Sequence, residues 1–188
     1  FVLFWRLMVA VHVAHAQNQA NNWYFGYHAG LSFASGNPVA LTDGAINTRE
    51  GCSTISNAAG NILFYSDGVQ VWNKNHVQMQ NGFGLLGDPS STQSSIIVPK
   101  PGSARYYYLF TVPAWMPDNG LCYSLVDMNL AGGLGGIAEN EKNILLQAAV
   151  AEKVTAVRHS NNTDIWVITH ERDNDVFDAF LITSSGIN

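Results

Sequence analysis

One unit recurs three times along this chain of 188 residues. Each copy is a short β-rich run, a polar turn, and a second run rich in apolar and aromatic residues. The first copy is 53–56 (STIS), a turn at 57–60 (NAAG) and 61–66 (NILFYS). The second is 95–98 (SIIV), a turn at 99–102 (PKPG) and 106–111 (YYYLFT). The third is 155–159 (TAVRH), a turn at 160–163 (SNNT) and 165–169 (IWVIT). A further strand-like run follows each copy, at 69–72, 121–128 and 176–183. Aligning Phe64, Leu109 and Val167 spaces the copies by 45 and 58 residues. Blades of four strands repeat at about 40–50 residues. The longer spacing contains the loop Gly132-Gly133-Leu134-Gly135-Gly136.

Such repetition predicts an all-β chain, a partial β-propeller of about three to four antiparallel blades. A blade packs both faces on its neighbours. Runs such as IWVIT and YYYLF are accordingly apolar at successive positions rather than alternating. A β-sandwich is the alternative, but it does not call for a recurring unit. The composition agrees with buried strand faces joined by neutral turns. Only 12% of residues are charged, while there are 17 Gly and 18 Asn. An ordinary globular protein is about 25% charged. Apolar content of 47% excludes intrinsic disorder. A net charge of −5 without a Lys/Arg cluster argues against nucleic acid as a partner. Asp67-Gly68 between two β-runs predicts a tight primed hairpin. Only one helical turn is expected, at 137–142 (IAENEK).

Residues 1–16 (FVLFWRLMVAVHVAHA) are apolar and end in Ala14-His15-Ala16. A small-x-small ending after an apolar core predicts a secretory signal peptide, here clipped and cleaved after Ala16. The run is too short for a membrane helix, which needs about 20 residues, and it holds Arg6, His12 and His15. Residues 17–188 then form the exported partial propeller, with no membrane insertion after cleavage. The ending AFLITSSGIN reads as a truncated hairpin, so further sequence is expected downstream. Cys52 and Cys122 are 70 residues apart and lack metal-type spacing, and both read as small apolar fillers within strands.

Several strings together resemble a known group. They include Asn22-Trp23-Tyr24-Phe25-Gly26, Glu50-Gly51-Cys52-Ser53-Thr54-Ile55-Ser56, and Gly60 through Gly68 (GNILFYSDG) with Val71-Trp72-Asn73. Ser91-Thr92-Gln93-Ser94, Val98-Pro99-Lys100-Pro101-Gly102, Glu152-Lys153-Val154-Thr155 and Trp166-Val167-Ile168-Thr169-His170-Glu171 continue the series. The chain is similar to the N-terminal propeller-like region of large secreted Bacteroidetes proteins, over residues 22–188. Those proteins belong to the gliding-motility-associated, type IX secretion group and often bear PKD domains. The resemblance implies export, a cell-surface location and further domains downstream. It implies little about activity.

Candidate chemistry is sparse. Counting back from each first strand puts Glu50, Gln93 and Glu152 in equivalent places, with Arg49 and Lys153 beside them. In a propeller such residues ring one mouth of the central channel, where they hold a polar ligand or cation, or else satisfy backbone groups at strand starts. Asp173 and Asp175 in the loop ERDNDV are a weak calcium pair, because the remaining positions of an EF-hand loop are missing. His170-Glu171 is not followed by a second histidine at Asn174, which excludes that zinc-protease motif. Ser66, Asp67 and Gly68 are adjacent, so the spacing of a sialidase Asp box fails. Trp115 sits in the loop WMPDNG and is a candidate contact for sugar or protein. Asn161-Asn162-Thr163 is a formal glycosylation sequon that reads more simply as a turn.

The expectation is therefore a non-catalytic binding or scaffold module of an exported protein, meeting glycan or protein through its loops. No cofactor is called for. The alternative is a glycan-active enzyme of the propeller type. That would need paired carboxylates about 5–9.5 Å apart, and Glu50 and Glu152 are the aligned pair.

Overall fold

The computed structural model describes residues 18–116 and 119–188. Among the described residues, fifteen short strands form four antiparallel sheets, each drawn from one continuous stretch of chain. The first sheet holds β1 (Asn22–Phe25), β2 (Ala29–Ser32) and β3 (Val39–Leu41). The second holds β4 (Ser53–Ser56), β5 (Ile62–Ser66) and β6 (Val71–Asn73). The third holds β7 (Ser95–Pro99), β8 (Tyr106–Thr111) and β9 (Leu121–Asp127). Two short strands, β10 (Gly136–Ile137) and β11 (Ile144–Gln147), share the free edge of β9. The fourth sheet holds β12 (Val150–Arg158), β13 (Ile165–Glu171), β14 (Phe177–Thr183) and β15 (Gly186–Ile187). Helical structure among the described residues is limited to three 3₁₀ turns, and the one at Glu139–Glu141 is the turn expected from the sequence. The predicted signal segment, 1–16, lies outside the described residues.

Each sheet meets the next through its first strand. β1 packs on β4, β4 on β7, and β7 on β12. The first strands thus stand side by side along the inside of an arc, and later strands step outward. A sandwich would stack two sheets face to face. Four sheets in succession, joined at their first strands and not closed into a barrel, are consistent with the blades of a partial propeller.

Three apolar clusters fill the three junctions. Tyr24, Ile46, Tyr65 and Trp72 lie between the first and second blades. Ile55, Phe64, Val71, Tyr107, Leu109 and Val126 lie between the second and third. Tyr108, Phe110, Leu125, Val154, Val167 and Ile182 lie between the third and fourth. Successive strand residues point to opposite faces. Blades two and three are covered on both, which is why their strands carry unbroken apolar runs.

The structure corrects the alignment of the copies by one residue. Phe64, Leu109 and Val167 are all fully buried on second strands. However, Phe64 points forward to the third blade, meeting Tyr107 at 5.6 Å between ring centroids, whereas Leu109 points back to the second. The matching forward residues are Phe64, Tyr108 and Trp166.

Two further readings change. Asp67-Gly68 does not make a two-residue hairpin, because Ser66 pairs with Val71 and the connection is residues 67–70. The Asp67 carboxylate accepts from the N–H groups of Val69 and Gln70 at 2.8 and 2.7 Å, and this side-chain turn replaces the primed one. Cys52 precedes β4 rather than lying in it, while Cys122 is buried within β9. Both thiols are free, and burial pushes that of Cys122 up to about 11.

Candidate functional site

In the second, third and fourth blades the first strand starts, and the second ends, at the same end of the arc; β1 of the first blade runs the other way, since Asn22 meets Ser56 and the Tyr24 N–H donates to Thr54, so β1 ends there. That end gathers residues 26–28, 42–52, 67–70, 74–94, 112–116, 119–120 and 172–176. The candidate ligand and metal residues Arg49, Glu50, Gln93, Trp115, Glu152, Lys153, Asp173 and Asp175 lie at or beside it, while the Asn161-Asn162-Thr163 turn lies between β12 and β13 at the opposite end.

Thr54, Ile97 and Ala156 are equivalent on the three inner strands, since they pair with Tyr65, Leu109 and Val167. Glu50, Gln93 and Glu152 each stand four residues earlier, so their equivalence holds in the corrected register. Their local roles differ. Arg49 and Glu50 are exposed, and their N–H groups both donate to the Pro89 carbonyl, at 3.3 and 3.2 Å. Gln93 is exposed just ahead of β7. The Oε2 of Glu152 accepts from the Thr92 N–H at 3.0 Å and the Thr92 hydroxyl at 3.2 Å. It ties the fourth blade to the entry of the third. Lys153 is exposed, and its carbonyl accepts from the Thr169 hydroxyl at 2.8 Å. A small hollow of about 120 Å³ lies between Gln93, Lys153, His170 and Phe177.

Trp115 projects from the loop after β8 and is 60% exposed. The Arg172 guanidinium of the next blade lies 4.7 Å from the centre of its ring. Arg172 also donates to the Trp115 carbonyl at 3.3 Å and to the Val150 carbonyl at 3.4 Å. The indole is thereby held with one face against a cation, while Met116 beside it is exposed. A cation over an indole face stabilises the pair by about 0.5–1 kcal/mol at an exposed site. The spacing of residues 115 and 172 in sequence carries no signal of this pairing. Asp173 and Asp175 are exposed on the loop following Arg172. Among the described residues no group of three or more His, Cys, Asp or Glu side chains comes together as a metal site.

A second cluster was not legible in the sequence. The Tyr24 hydroxyl donates to Asp43 at 3.0 Å, and the other Asp43 oxygen lies 3.3 Å from His76 Nε2. His76 Nδ1 lies 3.1 Å from the Tyr65 hydroxyl, which also accepts from the Ala45 N–H at 2.9 Å. Burial, and then Asp43, push the Tyr24 phenol above its ordinary range. Tyr24 and Tyr65 are both almost fully buried and stack at 4.7 Å. The network closes the first junction and offers no accessible nucleophile at these two residues.

The opposite end is apolar. A cavity of about 390 Å³ lies where Ile55, Ile97 and Ala156 of the three inner strands converge, with Arg158 and Gln19 at its margin. No carboxylate among the described residues lines it. No helix among the described residues is long and apolar enough to cross a membrane.

No protein-family description matches the chain, and no curated protein or solved structure matches it.

Proposed function

We propose that the protein is a non-catalytic binding or scaffold module, exported and associated with the cell surface, that contacts extracellular glycan or protein through the loop end of its blades. The observation that carries this reading is Trp115. An exposed indole backed by Arg172 from the neighbouring blade is a rigid aromatic platform, and such platforms serve as contacts for sugar rings and protein partners. Glu50, Gln93, Arg49 and Lys153 supply polar groups at the same end. Glu152 favours the non-catalytic reading, because its carboxylate is engaged with Thr92. On this reading residues 1–16 are a signal peptide, the export route is type IX secretion, and further domains follow in the same polypeptide.

Glycan and protein arrays probed with the purified protein, with and without calcium, test the proposal. A ligand whose retention falls on Trp115→Ala supports it. No binding on either array, together with measurable glycan hydrolysis lost on Glu50→Gln or Glu152→Gln, would replace it with the enzyme reading. Amino-terminal sequencing of the exported protein should begin at Gln17.

A further inference from the structure

The end of the arc away from Trp115 carries a second hollow beside the apolar cavity. It holds about 580 Å³ and lies between the 57–60 turn of the second blade and the 99–105 turn of the third. Ile55, Leu63, Tyr107 and Met128 line it, and all four belong to the junction of those two blades. Both blades are covered on each face by their neighbours, so interior blades alone build this hollow. It adjoins the apolar cavity, because Gln19, Ile55 and Pro99 line both. Ligand pockets are commonly of about 300–1,000 Å³ and mostly apolar, with a few placed polar groups.

Most polar side chains on this wall are already engaged. Asn57 Oδ1 accepts from the N–H groups of Ala59 and Asn61, both at 3.0 Å. Ser103 Oγ accepts from those of Arg105 and Tyr106, at 3.1 and 3.2 Å. Ser56 Oγ accepts from the Asn22 amide at 3.0 Å. Tyr107 is different. It is 7% exposed with its ring against Phe64, and its hydroxyl has no hydrogen-bond partner among the described residues. Burial raises its phenol above the ordinary range. Its oxygen is not sealed from solvent, unlike the unpaired hydroxyls of Ser91 and Thr111. Buried hydroxyls are ordinarily paired, so a phenol open to a hollow marks a place for a ligand oxygen.

The charge is one-sided. Arg158 stands at the margin of the apolar cavity, and its guanidinium has no carboxylate or hydrogen-bond partner among the described residues. No carboxylate among the described residues lines either hollow. Asp164 is turned to the Asn161 amide at 2.7 Å. The cations of the 99–105 turn are engaged: Lys100 lies over the Tyr106 ring, and Arg105 is paired with Asp127.

We propose that this trough binds an ω-oxygenated aliphatic carboxylate of medium chain length. The carboxylate meets Arg158, the chain lies over Ile55 and Pro99, and the distal hydroxyl shares a hydrogen bond with Tyr107. Arg158 and Tyr107 stand on neighbouring blades, and adjacent sheets pack about 10 Å apart, which calls for a chain of that reach. The site lies at the opposite end from Trp115 and is independent of the reading given to it.

Titration calorimetry with ω-hydroxydodecanoate below its micelle concentration tests this, on the 188-residue protein and on a form beginning at Gln17. Saturable one-to-one binding by either form is expected, at least tenfold tighter than that of the methyl ester and tighter than that of dodecanoate. Each methylene removed should weaken it by up to about fourfold. Arg158→Gln should erase the preference for acid over ester, and Tyr107→Phe the preference for the hydroxylated chain. Ala104→Trp should block the trough without lowering the melting temperature. Arg158 and Ala104 are exposed, so their variants read the site whatever Tyr107→Phe does to folding. No saturable binding by both forms would overturn the proposal. So would equal affinity for acid and ester, no gain from the hydroxyl, or binding indifferent to Arg158→Gln or to Ala104→Trp.

Discussion

The Ser94 hydroxyl donates a 2.5 Å hydrogen bond to the carbonyl of Asp67, and its side chain occupies the space beside Gly68. Gly68 has φ of +89°, and a β-carbon there would lie 2.9 Å from that of Ser94. Gly68→Ala adds both backbone strain and a clash. It should cost roughly 2–4 kcal/mol of folding stability. Chemical denaturation should show a lower midpoint with an unchanged slope. Ser94→Gly in the same background should recover part of the loss.

Asp67 itself sets a pH dependence. Burial raises its carboxyl above the ordinary value, against the opposing effect of the Gln70 and Val69 N–H groups. A raised folded value means that the protonated form is favoured on folding. The associated stability is present at low pH and fades as pH rises through the folded value. Asp67→Asn retains the acceptor oxygen without the charge. The variant should melt higher than the parent at pH 7, and the gap should vanish below about pH 4. Asp67→Ala should melt lower, by about 1–3 kcal/mol equivalent, because two N–H groups lose their acceptor.

Arg105 and Asp127 show the reverse sign. The guanidinium donates to both carboxylate oxygens at 2.6 and 2.5 Å, locking the turn before β8 to the end of β9. This holds the Asp127 carboxyl below its usual range. Its contribution is present above the unfolded value and is lost as pH falls through the folded one. Asp127→Asn should lower the melting temperature at pH 7 by a few degrees. The difference should close in acid, well below pH 4.

Trp115→Ala should leave the melting temperature nearly unchanged, because the ring is exposed. Binding of a ligand found on the arrays should weaken about tenfold or more. Arg172→Ala should weaken it less, while unfolding measurements register its bond to the Val150 carbonyl.

Three blades were legible as repeats because Phe64, Leu109 and Val167 all sit in apolar, aromatic second strands. The direction each faces was not legible. A strand buried on both sides shows no alternation, so a shift of one residue leaves the pattern intact while exchanging the faces. The first blade escaped repetition because β2 reads AGLS, and Gly30 lies so close to its neighbours that a β-carbon would sit 3.0 Å from the Tyr24 ring and 2.8 Å from the Trp23 carbonyl oxygen. Glu50, Gln93 and Glu152 were found by counting from strands, which is local information. The Arg172 contact to Trp115 and the Asp43–His76 pair join separate loops, and nothing in either loop records the other.

Inner strands that meet mainly their immediate neighbours make this molecule a short linear array. Its stability is then a sum over blades and junctions rather than a property of one shared core. Unfolding should begin at whichever terminal blade is bound on one side only, and amide exchange should slow towards β5 and β8. Sealing the two outer blades would remove those weak ends, and the array would unfold as a single cooperative body.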